Sequence, residues 1–167
     1  MRKSRIFNPT LILVCCLFLK CGSVENNKIG GNPIYHAQNF RAIVVPQTKH
    51  KIPSTNGQHQ IVTYTTSLTK WSFLNFAWEE YIVNHPEIDF IFYYSGADTV
   101  ALKEWLSLNK FSSPVLFDID GEFKRDNIKD KKLTSISFVV KKGSIIDFSN
   151  PSQPDFEKVL RELLSQD

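Results

Sequence analysis

Residues 61–71 read Ile-Val-Thr-Tyr-Thr-Thr-Ser-Leu-Thr-Lys-Trp, a strand-like run that leads into a hydroxyl-rich turn. Thr65, Thr66, Ser67 and Thr69 bring hydroxyls there and Lys70 adds a cation. Ahead of an amphipathic segment, such hydroxyls cap a helix or, with free backbone N–H groups, hold a carboxylate or phosphate. Capping is the commoner use. Nucleophilic catalysis by Ser67 needs a histidine base. His36, His50, His59 and His85 lie in expected loops or at a helix end, with no motif around any of them, and His50 and His59 read as solvated. Asp118-Ile-Asp-Gly-Glu122 begins like a calcium loop but lacks the remaining ligand positions, so Asp118, Asp120 and Glu122 read as an exposed turn. Glu79-Glu80 reads as a solvated pair on the outer face of a helix. No zinc spacing and no glycine-rich phosphate loop occurs, so neither a metal nor a cofactor is implied.

Sulfur is confined to the start of the chain. Cys15, Cys16 and Cys21 are the three cysteines, and residues 22–167 contain none. Met1-Arg-Lys-Ser-Arg5 is basic and residues 10–19 are apolar apart from Thr10, too short a run for a stable bilayer span. This reads as a leader. Leu19-Lys20-Cys21-Gly22-Ser23 resembles a bacterial lipoprotein signal, in which a cysteine becomes the first residue and is acylated. The departure is Lys20, where a small residue is usual. Cys21 is the expected lipidation site, with Cys15 or Cys16 as alternatives. An ordinary secretory leader or an uncleaved anchor are the competing readings. Removing residues 1–20 takes away four cations and no acid, so the formal charge goes from +3 to −1. Nothing basic enough for nucleic acid remains.

The elements that must position the turn follow from hydrophobic periodicity. Residues 21–33 form an expected polar, Gly/Asn-rich tether, and residues 34–167 one domain. Strands are expected over 40–45, 61–65, 88–95 and 114–118, with a hairpin of 135–140 and 144–148 about Gly143. The apolar run at 88–95 suits a central strand buried on both faces. A helix is expected from near Thr69, capped by Thr66 or Ser67, to about Val83, with Trp71, Leu74, Trp78 and Ile82 on one face. A second covers about 98–110, and a third follows Pro154 with Phe156, Val159, Leu160, Leu163 and Leu164 as its docking stripe. Residues 119–132 read as a charged loop. The aromatics from Trp71 to Trp105 exceed one small core's needs, so a few are expected on a protein-facing patch.

This alternation gives an α/β fold with a mixed sheet and helices on both faces. Its order resembles the thioredoxin-like superfamily, most of all the exported TlpA-like and redoxin proteins of bacteria. The strand at 61–65 entering the segment with Trp71 carries the resemblance, together with strand 88–95 and its helix and Ser137-Phe-Val-Val-Lys-Lys-Gly-Ser-Ile-Ile. Phe117-Asp118 and Asp126-Asn127 also resemble positions held by some lipoprotein members. The resemblance implies a Cys-x-x-Cys where the strand meets the helix. Here those positions fall within residues 66–70, best matched by Ser67 and Lys70. It also implies a cis-proline before the hairpin, at Ser135 or Thr134 in this chain. Hydroxyls cannot exchange disulfides, and a cis bond at a non-proline residue costs about 2.5–4 kcal/mol.

The resulting expectation is a degenerate, redox-inactive thioredoxin-like lipoprotein, a binding or accessory module rather than an enzyme. Its expected location is the bacterial cell envelope, lipid-anchored at the outer membrane on the periplasmic or surface face. Thr66, Ser67, Lys70, Trp71 and Ser135 are its candidate binding residues and an envelope protein its expected partner. The alternative is a thiol-disulfide oxidoreductase relative with residual or relocated activity through leader cysteines. Intact mass of the membrane-extracted protein distinguishes the leader readings: loss of residues 1–20 with diacylglyceryl on Cys21 is expected. A mass retaining residues 16–20 overturns that site.

Overall fold

In a computed structural model of the chain, the described residues are 31–44, 52–69 and 72–165. They build one seven-stranded sheet in the order β1-β7-β6-β3-β4-β5-β2. The strands are β1 (Asn32–Pro33), β2 (Phe40–Ile43), β3 (His59–Thr65), β4 (Asp89–Tyr94), β5 (Val115–Asp118), β6 (Ser135–Lys141) and β7 (Ser144–Phe148). The helices are α1 (Trp78–Asn84), α2 (Thr99–Leu108), α3 (Glu122–Asn127) and α4 (Phe156–Ser165). Strands β3, β4 and β5 run parallel, while β6, β7, β2 and β1 each pair antiparallel to a neighbour. Asn32 and Pro33, the last residues of the segment read as a tether, pair with β7. Proline is tolerated there because β1 is an edge strand.

Alternation along the strands divides the core in two. Ile61, Phe90, Phe92, Tyr94, Val115 and Val139 face α1, α2 and α4. Two successive strand–helix–strand units step the same way across β3, β4 and β5, and connections of one hand then place both helices on one face. Trp78 is the hub of that side, edge-on to Phe90, Phe92 and Phe156. On the other face Val62, Tyr64, Ile91, Tyr93, Leu116, Phe138 and Val140 pack with Phe123 of α3 and with Ile34 and Ala37. Phe123 stacks on Tyr93 at 4.3 Å and on Tyr64 at 5.8 Å.

Two elements differ from the sequence reading. The helix expected from near Thr69 begins only at Trp78, after a short 3-10 turn at Phe73–Asn75. Ser72, not Thr66 or Ser67, caps that turn by accepting from the Leu74 N–H. The Trp78 indole donates to the Phe73 carbonyl at 2.7 Å, an acceptor that the Ala77 N–H would take in a continuous α-helix. Phe76 is extended, and the chain restarts. The second difference is α3, which forms within the segment read as a charged loop. The hairpin turn has φ of 49° at Lys142 and 75° at Gly143, so both of its central residues are left-handed, as the two-residue turn requires.

Other readings need correction. His59 begins β3 rather than lying in a loop. Glu79 is half-buried and accepts from the Ser112 N–H and hydroxyl, tying α1 to the approach of β5. Of the described members of the aromatic cluster, Phe73, Phe76, Tyr81 and Trp105 are half-buried and the rest buried; Trp71 lies outside the described residues.

His36 is placed between Tyr93 and Gln60, its Nδ1 and Nε2 each 3.2 Å from their oxygens. Burial lowers its pKa below 6.5, and the Gln60 contact only partly opposes this. The unfolded chain therefore takes up the proton first as pH falls. Stability should be full above about pH 6.5 and be lost as pH drops through the folded value. The loss should be a fraction of roughly 1.4 kcal/mol per pH unit, because the half-buried ring remains partly screened. Urea midpoints between pH 7.5 and 5.5 should fall in the native protein and fall less in His36→Gln.

Candidate functional site

Strands β3, β4 and β5 end together, and in open α/β sheets that end is where ligands lie. Thr66 and Ser95 directly follow β3 and β4, Gly121 lies in the turn after β5, and β6 begins alongside, with Ser135 opposite Thr65. The turn after β3 is held by its own hydroxyls. Thr65 Oγ1 receives the Ser67 N–H at 3.1 Å and sits 2.7 Å from Ser135 Oγ. Ser67 Oγ lies 3.0 Å from Thr69 Oγ1 and accepts the Thr69 N–H at 3.2 Å. The Thr66 N–H donates to the Thr134 carbonyl at 2.9 Å, closing the turn onto the start of β6. One register step down, Thr63 and Ser137 form a matching hydroxyl pair at 3.0 Å. Every peptide bond among the described residues is trans.

Of the candidate binding residues, Thr66 and Ser135 therefore come together at this end, with Ser67 beside them. They point differently: Ser135 and Thr65 share the α1 side of the sheet, while Thr66 follows Tyr64 towards α3. Lys70 and Trp71 lie outside the described residues, as does Cys21. No α-helix begins at Ser67, so the turn lacks the row of free helical N–H groups expected there.

Asp118, expected in an exposed turn, is instead 1% exposed. Its carboxylate accepts the Ser95 hydroxyl at 2.8 Å and the N–H groups of Glu122 and Phe123 at 2.9 and 3.1 Å. It thus joins the ends of β4 and β5 to the first turn of α3, at a site where the nominal cap, Gly121, has no side chain to offer. Asp120 and Glu122, the other members of that motif, hold the 38–39 backbone and side chains instead: Glu122 accepts from the N–H groups of Gln38 and Asn39, and Asp120 from the Asn39 amide.

Between α3 and the sheet lies a cavity of about 580 Å³ lined by Tyr64, Thr66, Ser95, Gly121, Ile128 and four cations, Lys124, Arg125, Lys129 and Lys131. The Tyr64 side chain is fully buried, and among the described residues no partner meets its hydroxyl with hydrogen-bond geometry. Burial raises its pKa; nearby Ser95 acts in the opposite sense and the charge of Asp118 adds to the rise. Ser95 commits its own proton to Asp118. Strand parity places Tyr64 and Thr66 on one face, whereas the four cations line one cavity only because α3 forms. Among the described residues no three His, Asp or Glu side chains gather as metal ligands do.

Solved structures share this architecture. A thioredoxin-like protein determined in solution in its oxidised form is 12% identical, matching 83% of this chain and 98% of its own with a TM-score of 0.57. A putative thiol:disulfide interchange protein DsbE from Chlorobium tepidum is 14% identical over 81% and 94% of the two chains, with a TM-score of 0.54. StoA from Bacillus subtilis is 17% identical over 75% and 97%, with a TM-score of 0.51. Neither a protein-family model nor a curated protein sequence matches the chain. The protein has the thioredoxin-like fold.

Replacing Asp118 with alanine should leave the α3 N–H groups and the Ser95 hydroxyl without their acceptor. A loss of about 2–3 kcal/mol in urea unfolding is expected, with hydrogen-exchange protection falling first at residues 122–127.

Proposed function

We propose that this protein is a redox-inactive, lipid-anchored domain of thioredoxin-like fold that serves as a binding or accessory module at the bacterial cell envelope. One observation carries the reading: the turn after β3 is closed by Thr65, Ser67, Thr69 and Ser135 hydroxyls, and residues 22–167 contain no cysteine. Disulfide exchange requires a thiolate that attacks sulfur and a second thiol that resolves the mixed disulfide. A hydroxyl forms no such bond. Two solved neighbours, a putative thiol:disulfide interchange protein and a thioredoxin-like protein in its oxidised form, supply the chemistry that such a scaffold hosts when sulfur is present. The envelope location is supported by the leader and by the lipoprotein-like Cys21. The turn and the start of β6 remain assembled, so the expected mode of action is recognition of an envelope protein or ligand at this end of the sheet.

An insulin reduction assay tests the reading. The full-length protein in mild detergent, with dithiothreitol as reductant, should precipitate insulin no faster than dithiothreitol alone. A rate several-fold above that background overturns redox inactivity and favours relocated activity in Cys15, Cys16 or Cys21.

A further inference from the structure

The cavity between β3, β4 and α3 divides its polarity between floor and mouth. At the floor is Tyr64, fully buried, whose hydroxyl has no hydrogen-bond partner among the described residues, beside the half-buried Ser95 and Thr66. A buried hydroxyl without a partner costs free energy comparable to a lost hydrogen bond, which a ligand's polar group would recover. At the mouth are Lys124, Arg125, Lys129 and Lys131, with no carboxylate among the lining residues. Of the acids of the same segment, Asp130 lines the neighbouring groove and Asp120 is engaged with Asn39, while Asp126 and Glu122 lie 2.9 and 3.9 Å from the Arg125 guanidinium and offset its charge. Lys124 is held by the Lys131 and Leu133 carbonyls at 2.8 and 3.1 Å, and Arg125 by Asp126 at 2.9 Å. Lys129 and Lys131 are exposed and take part in none of the ion pairs among the described residues.

We infer that this cavity binds a small organic anion, with its carboxylate or phosphate at the cationic mouth and an uncharged hydrogen-bonding group against Tyr64. Asp118 lies behind Ser95, and its charge disfavours a second anionic group at the floor. The volume is in the range of small-molecule sites. Ile128 is the apolar residue of the lining. The inference rests on the binding-module reading and names its ligand class.

The test titrates the full-length protein in mild detergent with 4-hydroxybenzoate, benzoate, 4-hydroxybenzamide and inorganic phosphate, following amide shifts or calorimetry. Saturable binding of 4-hydroxybenzoate is expected, at least tenfold tighter than the neutral amide and several-fold tighter than benzoate or phosphate. The surface double variant Lys129→Gln/Lys131→Gln should weaken it at least fivefold. Tyr64→Phe, which keeps the ring, should abolish the advantage over benzoate. Absence of saturable binding, equal binding of the amide, or unchanged affinity in the lysine variant overturns the inference. Phosphate binding as tightly as the organic acids reduces the site to an adventitious ion only and also overturns it. Insulin turnover, by contrast, overturns the module reading, so the two failures are separable.

Discussion

A carboxylate taken out of water is costly unless its oxygens are hydrogen-bonded, and Asp118 meets that condition only if three separate pieces of chain converge on it. Ser95 must follow β4 directly, β5 must end beside it, and α3 must begin within reach. The turn at Gly121, with φ of 65°, lets the chain double back so that Glu122 and Phe123 present their N–H groups. Once α3 is placed in this way, Phe123 falls between Tyr64 and Tyr93 and the cavity acquires a wall. A short helix of six residues has little stability of its own, so the carboxylate and the aromatic stack are what keep it.

The same end of the sheet shows how a sulfur-free turn is kept in shape. Thr65 and Ser135, then Thr63 and Ser137, face each other across β3 and β6 on a buried surface. Each such cross-strand pair contributes roughly 0.2–1 kcal/mol. The larger effect is that a buried hydroxyl on one strand requires its partner on the other, so register and turn are specified together. The Thr66 N–H is likewise taken up, by the Thr134 carbonyl, so the turn and the start of β6 are tied by backbone as well as by hydroxyls.

Much of this was legible in the sequence. The stripe at Phe156, Leu160 and Leu163, the continuous apolar run of β4 and the glycine of the hairpin carry periodicity or φ information that tertiary structure only reinforces. α1 was misplaced because its competitor is a side-chain contact: the Trp78 indole takes a carbonyl that periodicity assigns to the backbone. α3 was missed because its first turn is capped from Asp118, outside the helix, while charge density suggests a loop. Neither contact has a sequence spacing of its own. Tyr64 and Thr66 could be assigned to one face by parity, but nothing in the sequence says that α3 will close over them.

The charge of the 118–132 segment makes the same point about function. It contains five acids and five cations, and its sum is neutral. Folding sorts these charges: Asp118 turns into the core, Asp120 and Glu122 reach residues 38–39, Asp130 faces the adjoining groove, and four of the cations line one cavity, where Arg125 keeps Asp126 as its ion-pair partner. A net-charge argument is therefore blind to the local balance of charge, because the field at a cleft depends on which charges line it and on the low-dielectric walls around them. The carboxylate that orients α3 is thus also what decides which face of the segment, and which sign, the open end of the sheet presents.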